Sequence, residues 1–261
     1  MSTLRLRQVA LVATELDPVL DALAAELGLE VAHRDPAVAT FGLVNAVLPV
    51  GNQFLEVVSP TREGTAAGRQ LERMGGDGGY MVICQTDDQA PFRARADQLG
   101  IRTAFEFDDH GYQGWQLHPG DTGGSFLEID VQPAGEGDLW MPAGPDWQRA
   151  VRTGVVDGIE AVELEVPDPD ATSGRWRDLL GREHFDDGVG LRWGRGDRGL
   201  IAVDLHAADR DRAGDALTIC GVRFRLVDRE GQGLPDEADL RAVHDVLEQS
   251  FTDHFNNFEE S

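Results

Sequence analysis

Phe54–Val58 reads FLEVV and Phe126–Asp130 reads FLEID. Each stretch sets a carboxylate, Glu56 or Glu128, in the middle of an otherwise apolar strand pattern, and the two glutamates lie 72 residues apart. Leu27-Gly28 maps onto Leu99-Gly100 at the same offset. Around these anchors the chain repeats itself. QVALVATELDPVLDALAAELGL from Gln8 and YMVICQTDDQAPFRARADQLGI from Tyr80 both read as an apolar strand, an acidic turn and an amphipathic helix ending in Leu-Gly. In the first helix Leu20, Leu23 and Leu27 recur at helical spacing, and Gly28 suits a C-cap. Three strand-like segments follow each helix: VAHRD, ATFGLVNAVLPV and QFLEVVS in the first copy, RTAFEFDD, GWQLHP and GSFLEIDVQ in the second. Each copy is thus a βαβββ unit of about 70 residues.

A weaker third copy starts at Ala161 with AVELEVPDPDATSGRWRDLLGR, and VGLRWGR, GLIAVDLHA and ALTICGVRFRLVD supply its strands. It has Ala161 in place of Gln8 or Tyr80, and Asp204 falls on its fourth strand only by an approximate alignment, so it reads as degenerate, without a metal centre. The expected organisation is a paired domain over 1–132 (repeats 5–74 and 78–132) and a Gly/Pro-rich connection over 133–155 pinned by Trp140 and Trp147. A truncated module over 156–228 and an acidic tail over 229–261 follow. In that tail Leu240, Val243, Leu247 and Phe251 recur at helical spacing. A repeated unit that cannot bury its own sheet face needs neighbours, so two units pair side by side into a curved sheet with a cleft. The fold class is α+β.

Composition narrows the partners. The 261 residues carry a net charge of −24, from 47 acidic groups against 23 basic ones, every one of them arginine. Such a surface repels phosphate backbones and anionic lipid, which argues against nucleic acid and membranes as partners. No apolar run is long enough to span a bilayer, and RQVALVA reads as a strand rather than a leader, so a cytoplasmic location is expected. Cys84 and Cys220 sit in apolar strand patterns and read as buried, inert thiols. GGDGG at Gly75–Gly79 lacks the Lys-Ser/Thr ending of a phosphate loop and reads as a flexible joint between the repeats.

The pattern resembles the vicinal oxygen chelate superfamily, specifically its glyoxalase-like members. QVALVATELDPVLDAL is similar to that family's opening strand and helix, FLEVVSP to its fourth strand, and LHPGDTGGSFLEID to its closing hairpin. The resemblance covers roughly 5–132 well and 156–228 more weakly. It implies a cleft whose strands offer four inward side chains to a divalent metal, which polarises a substrate for isomerase, epimerase, lyase, dioxygenase or resistance chemistry. Gln8 stands at the first of those positions, Glu56 at the second and Glu128 at the fourth. The third, usually His, falls on Tyr80 by the repeat offset, or on Met81 if the strand slips by one. Either is a departure: a phenol with a pKa of about 10 is a poor ligand for a hard ion, and a thioether suits only softer metals.

Two facing carboxylates make a demand that does not depend on the family. Ionised side by side in a dry pocket they repel, and the conflict is relieved by a cation, a shared proton or an arginine. A metal held by Gln8, Glu56 and Glu128 would be magnesium, manganese or calcium, which favour oxygen ligands. Without metal, one glutamate is protonated and serves as acid or base, with Tyr80 as hydrogen-bond donor. The bland alternative leaves each glutamate at an open sheet edge in solvent. His118, in WQLHPGD, offers a proton carrier or else a surface turn, and Trp115 would line an apolar pocket. Asn45 breaks the apolar pattern of GLVNAVLPVG, as a substrate contact or a bulge. His33, His184, His206, His244 and His254 read as surface groups.

The expected function is a glyoxalase-like enzyme acting, with metal assistance, as an isomerase, lyase or epimerase on a carbonyl or enolisable substrate. The alternative is a metal-free binder that sequesters a small molecule. The odd third unit either caps the pair or forms a homodimer.

Overall fold

The computed structural model describes residues 2–132 and 139–228. The first repeat comprises β1 (Leu4–Val12), α1 (Leu16–Leu27), β2 (Leu43–Val50) and β3 (Gln53–Pro60). After α2 (Ala66–Met74) the second comprises β4 (Gly78–Thr86), α3 (Ala90–Leu99), β5 (Thr103–Asp109), β6 (Tyr112–Leu117) and β7 (Phe126–Val131). All seven strands form one sheet in the order β2-β3-β1-β4-β7-β6-β5. In each half the first strand lies parallel to the last, β1 to β3 and β4 to β7, and the halves meet where β1 runs antiparallel to β4. This is the paired βαβββ arrangement read from the repeat, in the α+β class.

Two local readings change. VAHRD is not a full strand, because only His33 bridges to Val47. Pro36, with the Asp35 side chain accepting from the Ala37 amide at 2.8 Å, starts a 3-10 helix over Pro36–Phe41 instead. The glycine-rich joint is also more ordered than expected. Thr65 caps α2 by accepting from the Gly68 amide at 2.9 Å, Gly75 closes the helix in the left-handed conformation, and Gly78 and Gly79 already belong to β4.

The truncated third unit builds a second sheet from β8 (Val156–Val166), β9 (Gly190–Arg195), β10 (Gly199–Ala207), β11 (Ala216–Ile219) and β12 (Val222–Val227), with α4 (Pro169–Leu180) linking β8 to β9. Its order, β11-β12-β10-β8-β9, repeats the directions of β2-β3-β1-β4-β7 strand for strand. The third copy therefore holds two shortened halves, one of which has lost its long helix. Asp204, on β10, is fully buried against Arg192 and Arg225, so this sheet's counterpart of the cleft is closed by ion pairs.

One apolar core joins the two sheets. Leu6, Val9, Leu11, Val82, Cys84, Leu127 and Ile129 from one face of the first sheet pack with α1 and with Val162, Leu164, Leu200, Val203 and Leu205 of the second. Both cysteines are buried and unpaired, as expected. Leu240, Val243, Leu247 and Phe251 of the expected C-terminal helix, and 133–138 of the connection, lie outside the described residues. The sheets approach closely at Gly79, where a Cβ would come within 2.2 Å of the Leu200 carbonyl oxygen. Gly79→Ala should therefore cost about 1–3 kcal/mol of stability through overpacking. Urea unfolding of the variant checks this, and an unchanged midpoint would contradict the sheet contact.

Candidate functional site

The opposite face of the first sheet carries the glutamates. Along β1–β4 the register runs from Ala10↔Met81 to Leu11↔Gly79 and skips Tyr80, and from Leu6↔Cys84 to Gln8↔Ile83 and skips Arg7. A bulge of this kind turns two successive side chains toward one face. Gln8 pairs with Phe54 and Met81 with Phe126, so, counted from the matched glutamates, Met81 rather than Tyr80 stands where Gln8 does. Tyr80 is the counterpart of Arg7, the other bulged residue.

A cavity of about 1550 Å³ opens on this face, and Gln8, Asn45, Glu56, Tyr80, Met81, Glu128, Asp130 and Trp140 line it. Both glutamates are buried, with 8% exposure for Glu56 and 5% for Glu128, so the open-edge alternative does not hold. Glu56 on β3 is gripped by two amides, Gln8 Nε2 donating to Oε2 at 2.9 Å and Asn45 Nδ2 to Oε1 at 2.7 Å. Both amides are themselves held. Trp140 Nε1 donates to Gln8 Oε1 at 2.7 Å, and the Asp35 amide donates to Asn45 Oδ1 at 2.8 Å. Hydrogen bonds to a charged group contribute about 1.5–3 kcal/mol each, which offsets part of the cost of burying the carboxylate. Burial nevertheless pushes the Glu56 carboxyl above its usual range, against the two amide hydrogen bonds.

Glu128 and Asp130 stand two apart on β7 and so share one face. Burial pushes Glu128 well above the usual range, and the charge of and hydrogen bond to Asp130 add to it. Asp130 is raised to about 7 by burial, against hydrogen bonds from Tyr112 and Glu128. Tyr112 donates to Asp130 Oδ2 at 2.5 Å, and Oδ1 finds no hydrogen-bond partner among the described residues unless a carboxyl nearby carries a proton. A proton on Glu128 supplies that partner. The two carboxyls are coupled, an arrangement that favours one shared proton, and Gln116 also holds Glu128. Tyr80 lines the cavity between these groups. Burial, then the charges of Glu56 and Glu128, push its phenol up, so it stays a neutral donor, and no hydrogen bond among the described residues engages its hydroxyl.

Three of the residues expected at the site behave differently from their reading. Trp115 is on the other face, in the inter-sheet core, where its Nε1 donates to Thr103 Oγ1 at 2.9 Å and Arg93 lies over its ring. Alternation along β6 sends Tyr112 and Gln116 to the cleft and Trp115 away from it. His118 follows β6 at the cavity rim, its Nδ1 accepting from the Gly120 amide at 3.1 Å and facing Arg102. That is the turn role, away from the buried carboxyls. Asn45 is less a substrate contact than a clamp on Glu56.

Sequence reading missed Asp130, Tyr112 and Gln116. The signal for Asp130 lay within FLEID itself, two residues after Glu128 and so on its face. Trp140, expected only to pin the connection, closes the site. It is fully buried, lies 6.5 Å from Phe54 in a stack, and with Phe54 and Trp147 packs around the Arg7 guanidinium.

These side chains do not fit the four-ligand metal site that the resemblance implies. Gln8 Oε1, the atom that would ligate, already accepts from Trp140, each Glu56 oxygen takes an amide hydrogen, and a thioether stands at the third position. Among the described residues no three His, Cys, Asp or Glu side chains are grouped to hold a metal ion.

The sequence profile of the glyoxalase-like domain family matches residues 9–180, about two thirds of the chain. The chain belongs to this glyoxalase-like family of the vicinal oxygen chelate superfamily. No curated protein sequence matches it. Among solved structures it is similar to a variant Streptomyces coelicolor methylmalonyl-CoA epimerase in complex with 2-nitronate-propionyl-CoA, at 24% identity over 51% of this chain and 100% of that one, with a TM-score of 0.46. The Mycobacterium tuberculosis methylmalonyl-CoA epimerase is similar at 20% identity, over 49% of this chain and 87% of that one, with a TM-score of 0.44. A hypothetical protein from Bacillus halodurans matches at 17% identity, over 50% and 95% of the two chains, with a TM-score of 0.45. No helix among the described residues is long and apolar enough to cross a membrane.

The buried dyad has a consequence for stability. Its folded-state pKa values are raised, so between the usual carboxylate range and about pH 7 the native chain binds more protons than the unfolded one. The contribution is full below the unfolded pKa and is lost as pH rises through the folded value. Melting temperature should therefore slope downward across that window, and Asp130→Asn should flatten the slope. An identical slope in variant and parent would contradict the shared proton.

Proposed function

We propose that the chain is a small-molecule enzyme that moves a proton on an enolisable carbonyl substrate, with carboxyls rather than a bound metal as its acid and base. The supporting observation is that Glu56, Glu128 and Asp130 are buried in one cavity with raised proton affinities. A carboxyl tuned toward neutrality by burial is an effective general acid or base. In this reading the carbon acid gives its proton to the Glu128 carboxyl that faces the cavity as the proton already there passes to Asp130, so the dyad goes from one proton to two and the negative charge moves to the enolate. Tyr80 donates a hydrogen bond to the enolate oxygen as its charge develops. Return of a proton to the opposite face of the same carbon completes an epimerisation, and return to the neighbouring carbon an isomerisation, and atoms and charge balance without a further reactant. Gln8, Asn45 and Trp140 position Glu56 on the far side of the junction, where it faces the same substrate.

The second reading, sequestration without turnover, is favoured by one observation. The cavity is wide, and Val58, Ile83, Phe107, Phe126 and Met141 give it an apolar lining suited to holding a hydrophobic molecule.

Proton exchange separates the two. In deuterated buffer, the protein should accelerate loss of the α-proton signal from members of a panel of keto acids, keto esters and malonyl thioesters. Glu128→Gln should reduce that rate by about 100-fold or more, the usual contribution of a general acid–base group. Exchange undiminished in both Glu128→Gln and Glu56→Gln would sink the assignment. The metal question has its own measurement. After incubation with magnesium, manganese or zinc and desalting, elemental analysis should find far less than one ion per chain. A stoichiometric ion that disappears in Glu56→Gln would restore the metal-assisted scheme.

A further inference from the structure

The side of the cavity mouth that faces α2 has a charge opposite to that of the chain. Arg62, in the turn before α2, and Arg69 and Arg73 on it all line the cavity, although the protein carries a net charge of −24. Arg69 and Arg73 are four apart and share a helix face. Elsewhere arginines such as Arg93, Arg102 and Arg152 pair with carboxylates. Among the described residues no carboxylate pairs with these three. Arg73 is braced by carbonyl oxygens, donating to Asp197 at 2.7 Å and to Gly124 at 3.3 Å. Arg69 donates to the Gly64 carbonyl at 2.9 Å. Arg62 lies flat over Gly42, where a Cβ would come within 2.4 Å of its Nε. The guanidiniums are thus held at the mouth while their charge is left uncompensated.

Beside them the mouth is aromatic. Phe41, from the 3-10 helix of the first repeat, meets Phe105 of β5 edge to face at 5.2 Å, and both are unusually exposed, at 48% and 37%. The rest of the lining carries the three carboxyls together with Asp35 and Asp109 and repels anions. A ligand with one charged end therefore has one favourable orientation, with its apolar body against the phenylalanines and its charge toward α2.

We infer that the cavity takes an organic anion, an apolar body carrying a carboxylate or phosphoryl group, and that Arg62 and Arg69 receive this group at the mouth. The inference rests on the proposed function in naming that site's substrate class, but its test is binding alone. The probes are 8-anilinonaphthalene-1-sulfonate and the uncharged N-phenyl-1-naphthylamine, titrated by fluorescence into the full chain at low salt. The double variant Arg62→Gln/Arg69→Gln should weaken the sulfonate by about 10-fold or more and the neutral probe by less than about 2-fold. Arg62→Lys/Arg69→Lys, which keeps the charge, should recover most of the loss. Displacement of the bound sulfonate by pyrophosphate but not malonate assigns a phosphoryl group, and the reverse a carboxylate. Failure of the sulfonate to bind the parent, its displacement by neither anion, or equal weakening of both probes overturns the inference. None of these results depends on proton exchange, so the anion site fails or stands independently of the catalytic reading.

Discussion

Everything at the site follows from one edge contact, the antiparallel pairing of β1 with β4. It joins two half-sheets that each expose an unpaired first strand, and so removes an edge that would otherwise invite association. The same contact sets β3 and β7 on either side of the junction and turns Glu56 and Glu128 into one pocket. Its two bulges, at Arg7 and Tyr80, put consecutive residues on the cleft face of each central strand. One bulge supplies the cation that anchors the aromatic cover, the other a phenol whose hydroxyl is unengaged among the described residues. Matched positions have taken on different chemistry.

Burying three carboxyls works against stability, and the surroundings limit that cost unequally. Glu56 receives an amide hydrogen at each oxygen, from donors fixed at their far ends by Trp140 and by the chain at Asp35. The dyad gets less help, and the protein accommodates it by keeping a proton. A clamped carboxylate facing a protonated pair is the kind of divergence between similar groups from which acid and base roles arise. The second sheet adds no group to this chemistry. It fills the opposite face with an apolar core, so the cleft face is left free to be polar.

The repeat, its βαβββ units and the identity of the central glutamates were legible in the sequence, because period-two alternation and the Leu-Gly helix ends are local signals. Local signals also misled. VAHRD looked like a full strand, but only His33 bridges to the sheet, and the Asp35 cap starts a 3-10 helix that takes in Ala39–Phe41 of the next strand pattern. Trp115 looked like a pocket wall because its neighbours His118 and Leu117 gave no sign of which face was inward. Asp130 was overlooked, although its spacing from Glu128 placed it on the same face.

The amino-acid order by itself determined that two βαβββ units would pair and that each would carry an acid at the same place in an apolar strand, since hydrophobic periodicity dictates which stretches leave water. Only the folded chain decided which partners those acids would meet. The register that exchanges Tyr80 for Met81, the approach of Trp140 to Gln8 across more than half the chain, and the burial of Glu128 and Asp130 beneath Tyr112 all depend on contacts between separate segments. Pairing geometry and solvent exclusion fix these, and neither is encoded in any single stretch of sequence.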